Sequence, residues 1–381
     1  MKVLFLTGSR SDWGYIKPLL TLCKNKKIKN FLCVTNMLLL DSFGRAVNEI
    51  KKEGFKVDEE IYMTLDGYNT YTTSKSMGLF ILSFTDILKK YDPDWVVLAG
   101  DRFETLAASI SCAYNNIPIA HIQAGEVSGN IDGAARHAIG KFAHLHFASN
   151  KDAQKRLIKL GEEKYRIKVT GAPQLDGIKQ IVKQNKNTFD KIKVQYDLPN
   201  TKNFLLVIFH SVTEEINKLK KYSDELIKSL NSFNFKKVWV LPNNDPGSKF
   251  IRDKILINRS DKNLIYENFP RDHFLSILKN CKAIVGNSSC GIIEAPTFKI
   301  PCVNIGRRQM NRCQGKNVIN VKNVSKKNII LSVKKAMSDN FINNLKNFDN
   351  PYGNGNSAKK IIKHLQEMKN ESNLLKKTLT Y

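Results

Sequence analysis

The chain has 381 residues, 42% of them apolar, and 61 Lys or Arg against 35 Asp or Glu give a net charge of +26 with histidine neutral. That apolar share supplies real cores and excludes a disordered chain, and the length favours two domains over one. Met1 leads directly into Val3-Leu4-Phe5-Leu6, which is too short for a signal peptide and lacks a small-residue cleavage site, and no apolar run reaches about 18 residues, so a cytoplasmic protein without a membrane span is expected.

In chain order, KVLFLTG (2–8) reads as a buried strand, followed by a loop GSRSDWG (8–14) and a helix from Tyr15 to Cys23. FLCVTN (31–36) and DWVVLAGDR (94–102) read as further strands, the latter led in by the turn Asp92-Pro93. A helix over 103–115, a strand over 117–122, a helix over 133–143 and a strand over 145–149 follow. A helix over 151–160, a strand over 165–171 and the breaker Ala172-Pro173 close this half. Around 183–203 the composition turns Lys/Asn-rich, as suits a connection between domains. Alternation then restarts with strands at 204–211, 237–244, 263–268, 283–289 and 301–306 and helices at 214–231, 272–279 and 290–296. Such alternation predicts an α/β protein with parallel sheets covered on both faces, most economically two Rossmann-like halves. A Gly/Asn turn from 351 and an amphipathic helix end the chain.

Seven cysteines show no C-x-x-C spacing and mostly lie in apolar surroundings, so they read as free buried thiols, with no metal site expected. The lysines are dispersed through segments such as KQNKNTFDKIK (183–193). No basic block interleaves with aromatics, and no helix-turn-helix, zinc-finger or RNP pattern appears. The positive surface therefore suits an anionic small molecule better than nucleic acid.

Ligands of open parallel sheets sit at the carboxyl ends of the strands. The residues found there are Gly8 to Asp12, Asp101-Arg102, Gln123 to Glu126, His210-Ser211, Asn243-Asn244, Asn287 to Ser289 and Gly306 to Arg308. Ser288 and Ser289 open a helix, where they could either cap it or leave its N–H groups to an anion. Glu294, a turn and a half later, could accept ribose hydroxyls. Arg10, Arg102 and Arg308 could form forks on a diphosphate. Asp101 ends an almost wholly apolar strand, which suits acid or base work as well as capping of the next helix. Asp132, Glu126, Arg136 and His137 gather at a loop-to-helix junction. His210 ends an apolar strand, whereas His121, His144 and His146 alternate with apolar residues and read as structural.

With TGSRSDWGYIKPL (7–19), GDRFETLAA (100–108), IAHIQAGEVSGNID (119–132), RHAI (136–139), FHSVTEE (209–215), PNND (242–245), GNSSCGIIEA (286–295) and NIGRRQ (304–309) in hand, the chain resembles the hydrolysing nucleotide-sugar 2-epimerases of nonulosonic-acid biosynthesis, relatives of the UDP-N-acetylglucosamine 2-epimerases. The resemblance implies two Rossmann-like domains of the GT-B type with the active site in the interdomain cleft. The expected division is 1–180, bearing the catalytic carboxylates, 200–355, binding the nucleotide, and 356–381, a C-terminal helix that crosses back to the first domain. It implies anti elimination of the nucleoside diphosphate, a base taking the C2 proton, and then hydration to a free sugar inverted at C2. No cofactor is expected, and a homo-oligomer, dimer or tetramer, is.

By matching motifs, Asp101 and Asp132 carry the acid/base carboxylates, with Gln123, Glu126 and His210 completing the expected catalytic set. Arg10, Arg102, Asn243, Ser288, Ser289, Glu294 and Arg308 are the expected nucleotide-binding residues. Sialic-acid-pathway members typically read H-I-E-G-G-E where this chain reads HIQAGE (121–126). An amide cannot take a proton at neutral pH. Either Asp101 and Asp132 do the proton work alone, or Glu126 substitutes, or the site fits a different sugar; the last option favours GDP- or UDP-N,N'-diacetylbacillosamine, the sugar of the legionaminic-acid branch, ahead of UDP-N-acetylglucosamine. The rival readings are a GT-B glycosyltransferase, which needs no C2 base, and a nucleic-acid-binding protein drawn by charge.

Overall fold

The computed structural model describes residues 1–67, 69–183, 186–369, 371 and 373–380. It contains two compact units, one formed by Met1–Gly177 with Tyr352–Tyr381 and the other by Ile178–Pro351.

The first unit is built on a seven-stranded parallel sheet. Its strands are β1 (Lys2–Thr7), β2 (Lys29–Thr35), β3 (Glu59–Ile61), β4 (Trp95–Ala99), β5 (Ile119–Ile122), β6 (Leu145–Ala148) and β7 (Ile167–Val169), in the order β3-β2-β1-β4-β5-β6-β7. Side chains of a strand alternate between faces, so a strand covered on both sides must be apolar throughout. That is the case for residues 3–6 of β1 and for all of β4 at the centre of the sheet. Val3 and Phe5 of β1, with Trp95 and Val97 of β4, enter a core with Trp13, Ile16 and Ile361. Leu4 and Leu6, with Val96 and Leu98, enter the opposite core with Phe80 and Phe84.

The second unit repeats the plan with six parallel strands. These are β8 (Phe204–Ile208), β9 (Lys236–Val240), β10 (Asn263–Tyr266), β11 (Ala283–Gly286), β12 (Cys302–Ile305) and β13 (Val318–Val321), ordered β10-β9-β8-β11-β12-β13. In each sheet the strand order reverses once, between β1 and β4 and between β8 and β11. Helices leave opposite faces on either side of such a point and open a crevice at the strand ends. Six of the cysteines are buried and Cys313 is partly so, all as free thiols.

The C-terminal helix Ser357–Met368 packs within the first unit. Ile361, Ile362 and Leu365 are fully buried there. Its N-terminus is held by Asp176, whose carboxylate accepts the N–H groups of Ser357 (2.9 Å) and Ala358 (2.6 Å). Gly171, at φ +83°, lets the chain pass beneath it: a Cβ there would stand 2.9 Å from Ser357 Oγ and 3.1 Å from the Tyr352 carbonyl.

Several elements depart from the sequence reading. The first helix starts at Arg10 rather than Tyr15, because Ser9 Oγ accepts the N–H of Asp12 at 3.2 Å and caps it. Part of the Lys/Asn-rich stretch is folded, with a helix at Lys186–Gln195 that buries Phe189 and Ile192 in the core of the second unit. The helix read at 214–231 is two elements, a 3-10 turn broken at Glu215 and a helix at Leu219–Asn231. Strands β3 and β13 and the helices Thr70–Tyr91, Ser248–Ile257 and Lys326–Ala336 lie in segments to which the sequence reading gave no element.

Trp95 joins the sheet to the C-terminal helix: it is fully buried, and its indole N–H donates to the Leu365 carbonyl at 3.1 Å. Trp95→Ala is expected to lower stability by about 3–5 kcal/mol in urea unfolding. A loss below about 1 kcal/mol would show that the helix does not depend on this contact.

Candidate active site

In the first unit the candidate residues gather beyond the reversal point, at the ends of β1, β4 and β5. Asp101 follows β4 and is 16% exposed in its side chain. Its Oδ2 accepts from the Arg136 guanidinium and from Ser128 Oγ at 2.9 Å. Arg136 comes from the helix Ile131–Phe142, is itself buried, and donates through its other terminal nitrogen to the Gln123 carbonyl at 3.0 Å. One guanidinium thus fixes the ends of two neighbouring strands. Asp132 occupies the first turn of the same helix and accepts from Asn130 Nδ2 at 2.7 Å. A carboxylate in that turn is favoured in its ionised form by the helix dipole.

Gln123 adopts φ +59° and is 1% exposed, and its Nε2 has no partner among the described residues. A left-handed, non-glycine residue with an unsatisfied buried amide costs a few kcal/mol, which the surrounding contacts must offset. Such expense concentrates where a ligand is handled.

Two expected members of this set are engaged elsewhere. Glu126 is buried, one oxygen accepting from Asn150 Nδ2 (2.7 Å) and the other from the Tyr352 hydroxyl (3.3 Å). Its carboxylate joins the loop after β5 to the returning chain. Arg10 points to Glu49 (3.0 Å) and to the Phe43 carbonyl (3.2 Å) and packs down the N-terminal loops.

Asp12 and Glu104 were not singled out from the sequence. Both are buried, at 4% and 0% exposure. Asp12 Oδ2 lies 3.4 Å from the Gly8 N–H, and a Cβ at Gly8 would collide with the Glu104 carboxylate. Glu104 Oε1 accepts from Arg102 Nε at 3.0 Å. Burial, and then the charge of Glu104, raise the Asp12 pKa from 3.8 to about 7.

In the second unit, His210 follows β8 and is held by Asn287, which follows β11. Asn287 Oδ1 accepts the His210 N–H at 2.7 Å and its Nδ2 donates to the His210 carbonyl at 2.9 Å. Gly286 permits this pairing, because at φ +139° any Cβ would strike the Ile208 carbonyl. His210 Nδ1 accepts the Asn243 N–H at 3.2 Å. The neutral ring therefore carries its proton on Nε2, which makes that nitrogen a hydrogen-bond donor.

Asn243 Nδ2 donates to Asp245 Oδ2 at 2.5 Å, and that carboxylate lies 3.8 Å from Arg308. Arg308 Nε and Ser211 Oγ are buried without a partner among the described residues. Ser288 and Ser289 stand ahead of a helix of only four residues, Cys290–Ile293, and Ser289 makes no side-chain cap. Of the two readings open for them, side-chain capping by Ser289 is excluded. Glu294 is buried and accepts from Arg271, a residue the sequence reading passed over, at 3.2 Å.

His121 and His144 are pushed down to about 3 and about 4, and His146 is also lowered, in each case chiefly by burial, so these rings are neutral framework. Among the described residues no three His, Cys, Asp or Glu side chains are grouped to hold a metal, and no helix is long and apolar enough to cross a membrane.

Two α/β units, each with chemistry-bearing residues at the reversal point of a parallel sheet, define a nucleotide-sugar enzyme of the GT-B type. Comparison with known proteins agrees. Residues 21–366 match the model of the UDP-N-acetylglucosamine 2-epimerase family, and the chain belongs to that family. It is 33% identical to the UDP-N,N'-diacetylbacillosamine 2-epimerase (hydrolyzing) of Legionella pneumophila, covering 100% of this chain and 99% of the relative. Identity to the GDP/UDP-N,N'-diacetylbacillosamine 2-epimerase (hydrolyzing) of Campylobacter jejuni is 34%, covering 84% and 83%. The fold is shared with the UDP-GlcNAc 2-epimerase of Neisseria meningitidis crystallised with UDP-GlcNAc, at TM-score 0.80 and 21% identity over 96% of this chain and all of the other.

The raised Asp12 pKa has a consequence for stability. Between its ordinary value of 3.8 and about 7 the folded protein keeps a proton that the unfolded chain has released. Stability contributed by this group therefore falls as pH rises through that window and is constant above it. Asp12→Asn removes the titration, so thermal melts of variant and wild type should diverge in the variant's favour from pH 5 to pH 8. A pH-independent gap would contradict the raised value.

Proposed function

We propose that the protein is a hydrolysing nucleotide-sugar 2-epimerase that converts UDP- or GDP-N,N'-diacetylbacillosamine to 2,4-diacetamido-2,4,6-trideoxymannose and the nucleoside diphosphate, as legionaminic-acid synthesis requires. The observation that carries this reading is the set at the end of β4 and β5, where Arg136 holds Asp101 and the Gln123 backbone beside the helix that bears Asp132. Similarity to two hydrolysing diacetylbacillosamine 2-epimerases, over the full length for one and over 84% of this chain for the other, supports the choice of sugar.

The C2 hydrogen is far less acidic than a carboxylic acid, so a carboxylate cannot remove it from the resting sugar. Departure of the diphosphate must run ahead of proton transfer, leaving positive charge at C1 that acidifies C2. Asp132 takes the proton, and Asp101, anchored by Arg136 and Ser128, supplies negative charge to the cationic centre. In the second unit His210 donates Nε2–H to the departing phosphate, and Arg102 and Arg308 add cationic donors. Ser288, Ser289 and Asn243 complete the phosphate contacts, and Glu294 receives the ribose hydroxyls. Gln123 offers its unpartnered amide to the carbonyl of the second acetamido group, which N-acetylglucosamine lacks. The enzyme acts in the cytoplasm as a homo-oligomer. Exposed Tyr71, Leu79 and Leu82 on the helix Thr70–Tyr91 suit burial against another copy.

Offered UDP-N-acetylglucosamine, UDP-diacetylbacillosamine and GDP-diacetylbacillosamine, the protein should release nucleoside diphosphate fastest from a diacetylbacillosamine donor, with the product inverted at C2 by NMR. Preference for N-acetylglucosamine would transfer the reading to the sialic-acid branch. Asp132→Asn should lower kcat by about 100-fold or more with little change in KM. Gln123→Glu should shift sugar preference toward N-acetylglucosamine by about tenfold, and an unchanged ratio would remove Gln123 from sugar selection.

A further inference from the structure

The helix Ile131–Phe142 carries Asp132 in its first turn and Arg136 near its middle, and the tail of the chain grips its C-terminal end. Lys377 is 11% exposed in its side chain, and its Nζ donates to the carbonyls of Gly140 (2.7 Å), Lys141 (2.9 Å) and Ala143 (2.8 Å). Those carbonyls lie in and just beyond the last turn, where a helix leaves carbonyls short of backbone partners and its dipole has its negative end; Gly140's also accepts the Ala143 N–H at 3.2 Å. The same ammonium lies 2.7 Å from Glu162, a buried carboxylate that also meets Lys141 (3.1 Å) and His146 (3.0 Å).

The segment delivering Lys377 is in turn gripped from the body of the unit. Arg166, fully buried, donates to the carbonyls of Leu374 (2.7 Å), Asn373 (3.1 Å) and Lys376 (3.0 Å). Leu374 inserts its side chain into the core that contains Trp95 and Ile361. The Thr380 N–H closes the arrangement on the Gly161 carbonyl at 3.1 Å. A cation of the tail thus caps the helix, and a cation of the body caps the tail.

We propose that Lys377 and Arg166 are positioning residues for the elimination, forming a reciprocal cation–carbonyl clamp through which the C-terminal tail fixes the helix that presents Asp132 and Arg136. This rests on the reading of Asp132 and Asp101 as the acid/base carboxylates. The physical reason is leverage along a short rigid rod. A helix of twelve residues is about 18 Å long. Freeing its capped end permits tilting about the Arg136 ion pair near the helix's middle, which displaces Asp132 in the first turn. Misplacing a catalytic group by about 1 Å can cost on the order of 100-fold in rate.

The test uses full-length enzyme, Lys377→Met, which removes the donors and keeps the apolar stem, and Lys377→Arg, which restores a cation. Nucleoside diphosphate release from UDP-diacetylbacillosamine is measured alongside amide hydrogen exchange. Lys377→Met should lower kcat about tenfold or more while KM moves by less than about twofold, a split that loss of folded protein does not imitate once active fraction is titrated. Exchange should rise in peptides covering 131–142 and stay unchanged in those from the second unit. Lys377→Arg should recover most of both. Should Lys377→Met not fold, Lys377→Gln, which keeps one amide donor, takes its place. Unchanged exchange over 131–142, or raised exchange with wild-type kcat, overturns the clamp. If wild type releases nothing from any of the donors, the functional reading falls by itself, and exchange over 131–142 alone decides whether the clamp exists.

Discussion

The first unit depends on the charge of Arg136. Its guanidinium is 2% exposed, comes from a helix, and reaches both the carboxylate that ends β4 and the carbonyl in the loop after β5. A buried cation without partners would cost several kcal/mol, so its position is dictated by the acceptors it finds. The converse also holds. Asp101 is oriented because the guanidinium is there, and Gln123 is held at a positive φ because its carbonyl is claimed. Three segments distant in sequence therefore present their side chains in one geometry. The clamp at the far end of the helix restrains the element from which Arg136 projects.

The second unit is organised by hydrogen bonds of neutral groups. Asn287 pairs both backbone groups of His210, and the Asn243 N–H fixes the ring's tautomer. Neutral donors fixed beforehand suit a leaving diphosphate, since they need no reorganisation as negative charge accumulates on the departing oxygen. Arg308 has an unpaired Nε, and Ser211 an unpaired hydroxyl, among the described residues.

Much of this is legible in the sequence. Apolar strands flanked by small and polar residues give the parallel sheets, because both faces of such strands are covered. The carboxyl ends of the strands then select the candidates Asp101, Gln123, His210 and Arg308, while Asp132, at a loop-to-helix junction, is picked out by the motif it belongs to. Local pattern fails where a partner is distant in sequence. Nothing near Glu126 reveals that Tyr352 and Asn150 take up its oxygens, and nothing near Arg10 reveals Glu49. Asp12 reads as one more polar residue of the loop after the first strand, and only the fold brings Glu104 over Gly8 beside it. Strand β13 was missed because its four residues, Val-Ile-Asn-Val, are only partly covered, which weakens the apolar signal of a buried strand. The tail's role was hidden because lysines are abundant throughout the chain, and only contacts distinguish Lys377 from the rest.

The account stands on proton removal from C2 during loss of the nucleoside diphosphate. The most direct measurement runs the reaction in deuterium oxide with UDP-diacetylbacillosamine and follows the product by NMR and mass spectrometry. One solvent deuterium at C2 of the released sugar, appearing at the rate of nucleoside diphosphate release, is the predicted result. Release of the diphosphate with the original hydrogen retained at C2 would contradict it.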